Sequence, residues 1–440
     1  MRRRIFLIGG LTLLGLVAGG GYAVLTTPER REARLRAELE ADMRRERERP
    51  VGTRVPSGLA VEGEVYAAID SVLWMIPTST TPWQARKSDR TASAAWDRIR
   101  PFVAPLRSAV GCTRIAGSFD AEAVVEDWRR HHRDETPKLE AFSEVCRDYA
   151  SLARRLLELG SADEAADLLC DLWELAHLLA GRSSLDALGR YLEEIEPVCQ
   201  SLVERSIERL DDTDLEKLDR RLGLLDADPP SFSEATNRDR LVLGIALRSR
   251  GLTRFSERPV KHGRFDSWHL VQNWKRTNDS EAVERLYRRV VEASVLVEPW
   301  RARAAIKGLS DEDFELWGLT RWTLSCDGNH NGPSHADSEG LEVLFDEFLT
   351  DRATLRIARV LVCARRYLSV NGRWPVSHAE ALGRAPESVE RDPFSGEPLR
   401  LEVDPDGKLR VHTAHFDTEN SIGTIHNPGI TLWIRPPRRP

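Results

Sequence analysis

The chain has 440 residues, a formal charge of −6, 30% charged residues and 41% apolar ones. That length supports one large core or two to three smaller ones, and the composition is globular rather than disordered. The near-balanced charge supplies no global basic field, so nucleic acid is not expected as a partner. Arginine outnumbers lysine, which reads as base composition of the genome rather than as phosphate binding.

Met1-Arg2-Arg3-Arg4 precedes an uncharged run from Ile5 to Leu25. The run is long enough to cross a bilayer as a helix, and a short basic tail before it is the usual secretory layout. Six of its residues are glycine, with a GxxxG spacing from Gly15 to Gly19. Residues 1–27 are therefore expected to be a signal anchor, retained rather than cleaved, with the lipid bilayer contacted through residues 5–25. Arg30, Arg31, Arg34 and Arg36 on the far side count against this orientation, and export of the body remains the preferred reading. The expected location is the bacterial inner membrane, single-pass, with the body in the periplasm.

Residues 28–50 are rich in Glu, Arg, Ala and Leu, strong helix formers of alternating charge, which predicts a solvated stalk helix ended by Pro50. Residues 51–350 are expected to form a helical body. Leu139, Phe142, Cys146, Tyr149, Ala153 and Leu156 recur at three- and four-residue steps, the apolar face of a helix that Gly160 stops. Ser161-Ala162-Asp163-Glu164 has the capping-box spacing and opens a second helix carrying Ala165, Leu168, Leu172, Ala176 and Leu179. Ser184 to about Leu210 reads as a third helix, and Thr213 to Glu216 as a capping box opening a fourth. Pro229-Pro230 breaks the chain, and Arg238 to Arg250 and Glu281 to about Val297 read as further helices. The turn at Gly160 resembles part of a tetratricopeptide repeat, but no second copy follows at that period, so a long solenoid is not predicted.

Residues 351–440 change pattern. A helix from Thr354 to Val370 runs into Gly372-Arg373-Trp374-Pro375, and Ser377 caps a short helix containing Ala381 and Leu382. Asp392-Pro393-Phe394-Ser395-Gly396 is a turn. Leu399 to Val403 and Leu409 to Thr413 alternate apolar and polar residues around Asp404-Pro405-Asp406-Gly407, which predicts a β-hairpin. Ile430, Leu432 and Ile434 give a third strand. The fold class expected is mainly α: an N-terminal transmembrane helix, a helical bundle and a small C-terminal α+β module with an antiparallel sheet.

The order helix, Tyr367, Gly372 to Pro375, Asp392 to Leu399, hairpin, Asp417 resembles the C-terminal part of type II secretion pseudopilins. It is more similar to a group of uncharacterised membrane-anchored proteins of planctomycetes and deltaproteobacteria, which join an anchor, a helical middle and a pseudopilin-like end. The resemblance covers Tyr149 to Leu179, Glu284 to Leu309 and Leu355 to Arg435. It implies a membrane-anchored envelope protein with a pseudopilin-like module. Ile5 to Leu25 lacks the acidic residue of a prepilin peptidase substrate, which separates the chain from pseudopilins that assemble by that route.

Cys326, His330 and His335, with Asp337 and Glu339, form the densest set of metal-ligand types, which zinc would suit. No second Cys/His pair has zinc-finger spacing, so a polar surface loop is the competing reading and the preferred one. Asp417 and Glu419, with Asn420, correspond to a loop that holds calcium in many pseudopilin relatives, although calcium requires six to eight oxygen ligands. No resident cofactor is expected, with zinc and calcium as the alternatives. The six cysteines have wide spacings that leave buried thiols and disulfides both open. Nucleophile-elbow, Walker and dinucleotide fingerprints are absent. The function expected is a non-enzymatic envelope binding or scaffold protein whose partner is another envelope protein. A minor pseudopilin-like secretion component and a metal-dependent envelope hydrolase are the alternatives.

Overall fold

The computed structural model describes residues 30, 33–75, 92–115, 121–122, 138–182, 203–256, 281, 284–296, 298–309, 338–383, 387–414 and 430–436. The architecture is mainly helical, with two small three-stranded sheets. The run 5–25 and the candidate ligands Cys326, His330, His335, Asp417 and Glu419 lie outside the described residues. Among the described residues no helix is long and apolar enough to cross a membrane.

Helix α1 occupies residues 33–47. It is not wholly solvated: Leu39 and Met43 are buried beside Leu241 and Val242. A helix of alternating charge still docks when one or two apolar residues per turn share a face. The short strands β1 (Gly52–Thr53) and β2 (Val61–Glu64) follow. Glu64 then caps α2 (Val65–Met75), accepting from the Tyr66 and Ala67 amides at 3.0 and 2.6 Å. Helix α3 (Ala92–Val110) leads into β3 (Cys112–Ile115), which lies between β1 and β2, antiparallel to the first and parallel to the second.

Helices α4 (Lys138–Leu159) and α5 (Ala162–Arg182) pack on each other across a turn at Gly160, whose φ of 91° suits a residue without a Cβ. Both helices fall where the apolar periodicity puts them. Helix α6 (Asp212–Ala227) begins earlier than the Thr213 capping box suggests. Asp211 is its N-cap and accepts from the Asp214 amide at 2.9 Å.

Helix α7 (Phe232–Ser256) starts directly after Pro230, with the Ser231 hydroxyl accepting from the Glu234 amide at 3.3 Å. Its buried middle holds two neighbours by charge. Arg240 donates to Asp42 of α1 at 2.6 Å, and Asp239 accepts from Tyr287 at 2.6 Å on α8 (residues 284–294).

Helix α9 (Pro299–Lys307) precedes α10 (Ser338–Asn371), the 34-residue axis of the molecule. Leu355, Ala358, Leu361 and Val362 are fully buried on α10. Arg356 and Arg359 of α10 reach Asp226 of α6 at 3.4 and 3.2 Å.

After α11 (His378–Leu382) and α12 (Glu387–Glu390), strands β4 (Arg400–Val403), β5 (Leu409–His412) and β6 (Thr431–Ile434) form an antiparallel sheet in that order. This is the predicted hairpin plus third strand. Asp404 and Gly407 close the turn, and Trp374 donates to the Gly407 carbonyl at 2.8 Å. Asp392 is fully buried and accepts from Phe394, Ser395 and Ala414 at 2.9, 2.8 and 3.1 Å, so the Asp-Pro-Phe-Ser-Gly segment is a structural knot. One buried cluster runs from Val65 to Ile434, joining helical body and C-terminal sheet in a shared core.

Candidate functional site

A cleft of about 300 Å³ opens where the chain leaves α1, between the middle of α5 and the α6–α7 junction. The extended segment from Arg49 to Ser57 forms one wall. Helix α5 forms the floor with Glu174 and His177. The α6–α7 junction, from Leu224 to Arg238, closes the opposite side.

The floor depends on a buried ion pair. Arg54 Nη1 donates to the Val110 and Cys112 carbonyls at 2.6 and 3.2 Å, which ties it to the end of α3 and the start of β3. Its Nη2 pairs with Glu174 Oε1, and both side chains are buried. The Ser57 amide donates to the two Glu174 oxygens at 3.0 and 3.2 Å, and its hydroxyl bonds to Oε2. Charges removed from water in this way require complete hydrogen bonding, and Glu174 has it.

Behind this pair, Arg221 of α6 donates to Ser57 Oγ at 3.2 Å and to Asp171 Oδ1 at 2.7 Å, while Arg107 of α3 holds Asp171 Oδ2 at 2.7 Å. Burial works against the Arg221 charge, but Cys170, Asp171 and Asp167 together raise its pKa above the ordinary value. At the mouth, Arg49 pairs with Glu234, whose hydrogen bond raises the Arg49 pKa. Burial lowers the Arg238 pKa in spite of Glu234 and Glu46 nearby. Arg49, Arg54 and Arg238 thus line the cleft against Glu174, Asp228 and Glu234, a balanced set of charges.

His177 differs from the other polar groups. Its Nε2 lies 2.8 Å from Asp351 Oδ2 of α10, and Asp351 Oδ1 accepts from Trp173 Nε1 at 2.6 Å. Asp351 stands behind the wall and does not line the cleft. His177 Nδ1 is buried with no hydrogen-bond partner among the described residues.

Neither candidate metal set can be placed, because Cys326, His330, His335, Asp417 and Glu419 lie outside the described residues. Among the described residues no group of three or more His, Cys, Asp or Glu side chains is arranged to hold a metal ion. Cys112, Cys170 and Cys363 are free thiols, and burial pushes Cys170 and Cys363 up to about 12. Cys112 and Cys170 are buried and Cys363 is half-buried, and burial disfavours the reactive thiolate. Trp173 is core, as its helical spacing predicts.

The cleft residues carry no sequence motif. Glu174 and His177 are three apart on one helix face, the single local signal, and a charged residue in an otherwise apolar stripe marks a group that needs a buried partner. Protein-family models, curated proteins and solved structures show no match to this chain.

Proposed function

We propose that this chain is a membrane-tethered binding or scaffold protein of the bacterial envelope, without an enzymatic role. Residues 5–25 would hold it in the inner membrane, with the body in the periplasm and another envelope protein as its partner. The basic tail and uncharged run support the tether. The observation that carries the binding role is the segment walling the cleft. Val51 and Val55 on that segment are 58% and 72% exposed, Leu59 just beyond it is 86% exposed, and Val55 also lines the cleft. Exposed apolar residues grouped beside a cavity suit a docking surface better than they suit solvent.

A photo-crosslinking residue at Val55, compared with one at Val370, which is 80% exposed, tests this in intact cells. One discrete adduct from Val55 alone supports the reading, and no adduct removes it. A reporter after Pro440 that works only in the cytoplasm overturns the compartment. An adduct with a secretion-system subunit would favour the pseudopilin-like alternative.

A further inference from the structure

Helix α1 rests on the body through an interface of its own. Leu39 and Met43, the buried apolar side chains of α1 among the described residues, pack with Ala121, Leu241, Val242 and Ile245. This small cluster is separate from the main core. Leu39 sits over Gly244 of α7, where a Cβ would come within 3.1 Å of its methyl. The rest of the contact is ionic. Glu38 meets Arg288 at 3.0 Å, Asp42 meets Arg240 at 2.6 Å and Glu46 meets Arg238 at 3.9 Å. Arg49, just past the helix, meets Glu234.

Each of these charges also has a partner on its own side of the interface. Within the α1 segment, Arg34 lies 3.8 Å from Glu38, Arg45 lies 3.0 Å from Asp42 and Arg49 lies 4.0 Å from Glu46. On the body, Arg288 and Arg240 share Glu284, the first at 2.8 Å, and Arg238 lies 3.6 Å from Glu234. Removing one member of a buried ion pair is costly because it strands the other. Lifting α1 off the body strands none of these charges. The three- and four-residue pairs within α1 also favour its helix away from the body.

The joint of such a motion is fixed by what stays behind. Strand β1, Gly52–Thr53, pairs with β3, and Arg54 and Ser57 are held by Glu174. Pro50 and Val51 therefore stand between a segment tied to the body and a helix tied to it by exchangeable contacts.

We infer that α1 is a releasable strap, which leaves α7 and α8 by turning at Pro50 and Val51 while the body stays folded. Release parts Arg49 from Glu234 at the cleft mouth and uncovers Leu241 and Val242 on α7. The position of α1 thereby gates the cleft. Nothing in the strap depends on what the cleft binds.

Azidophenylalanine at the exposed Glu40 of α1 and Arg285 of α8, coupled to spin labels, reports the separation by double electron–electron resonance in the full chain in lipid nanodiscs. Met43→Glu on the strap and Gly244→Leu beneath it each spoil the apolar seat. The wild type is expected at the docked distance. Both variants are expected to shift outward by at least ~10 Å, the spacing of packed helix axes, with the denaturant midpoint of the body unchanged by tryptophan fluorescence. The docked distance retained in Met43→Glu overturns the inference. So does loss of the body's unfolding transition in that variant, which would make α1 part of the core. Where Gly244→Leu fails to fold, Met43→Glu leaves the body's sequence intact and decides alone.

Discussion

Asp351 Oδ2 sits 2.8 Å from His177 Nε2, although 174 positions separate the two residues along the chain. Through the second oxygen Asp351 also holds Trp173 Nε1, so one carboxylate on α10 fixes two ring donors on α5. Replacing Asp351 with Ala strands both donors in the core and should cost about 3 kcal/mol. Asp351→Asn keeps an acceptor for one ring only and should cost less. Denaturant unfolding of the two variants checks the order. Equal stability of wild type and Asp351→Ala would refute the role given to the carboxylate.

The Arg54–Glu174 pair yields a cycle. Each single substitution, Arg54→Met or Glu174→Leu, leaves a buried charge unpaired and should destabilise by about 3–5 kcal/mol. The double substitution removes both charges and should recover a large part of that loss. Additive losses across the cycle would show that the two residues do not act as a pair.

Gly396 has φ 75°, and a Cβ there would lie 2.6 Å from the Trp300 ring. Its amide donates to the Asp392 carbonyl at 2.8 Å, which holds it in the Asp392 knot, while Trp300 of α9 packs over it. Gly396→Ala combines an unfavourable backbone region with that clash and should cost about 2 kcal/mol. An unchanged unfolding midpoint would contradict the close approach.

Glu204 accepts from the Trp433 amide at 3.0 Å, clamping β6 to the helical turn at 203–207. Burial raises its pKa from 4.5 to about 6, against the opposing effect of that hydrogen bond. A carboxyl with a raised folded pKa binds its proton more tightly in the folded state. Its contribution is therefore complete below pH 4.5 and is lost as pH rises through about 6. Glu204→Gln should gain about 1 kcal/mol over wild type above that range, after discounting for partial exposure, and show no gain below it. Denaturant melts at acidic and neutral pH measure the difference, and a gain independent of pH would assign the effect to something other than this proton.

The chain's local grammar predicted a good part of this fold. Gly160 after the apolar spacing of α4, and Asp404-Pro405-Asp406-Gly407 between alternating strands, are signals that neighbours in sequence satisfy by themselves. The long α7 was legible only from Arg238, although Ser231 and Glu234 have the capping spacing just after the two prolines. Strands β1, β2 and β3 were not legible. Each has two to four residues, and their partly exposed faces provide no clean alternation.

The sequence by itself determined the positions of α4, α5 and α6, the C-terminal hairpin and the apolar run whose role is proposed above, because each depends on periodicity or turn chemistry within a few residues; α2, α3 and α9 were not legible in it. Only the tertiary structure decided the cleft. Arg54 meets Glu174 and His177 meets Asp351 across more than a hundred positions. Which polar residues are paired, and that His177 Nδ1 is left without a partner among the described residues, follows from three helices and a short sheet packing at one place. Burial makes those pairings obligatory, and no local pattern encodes a partner that far away.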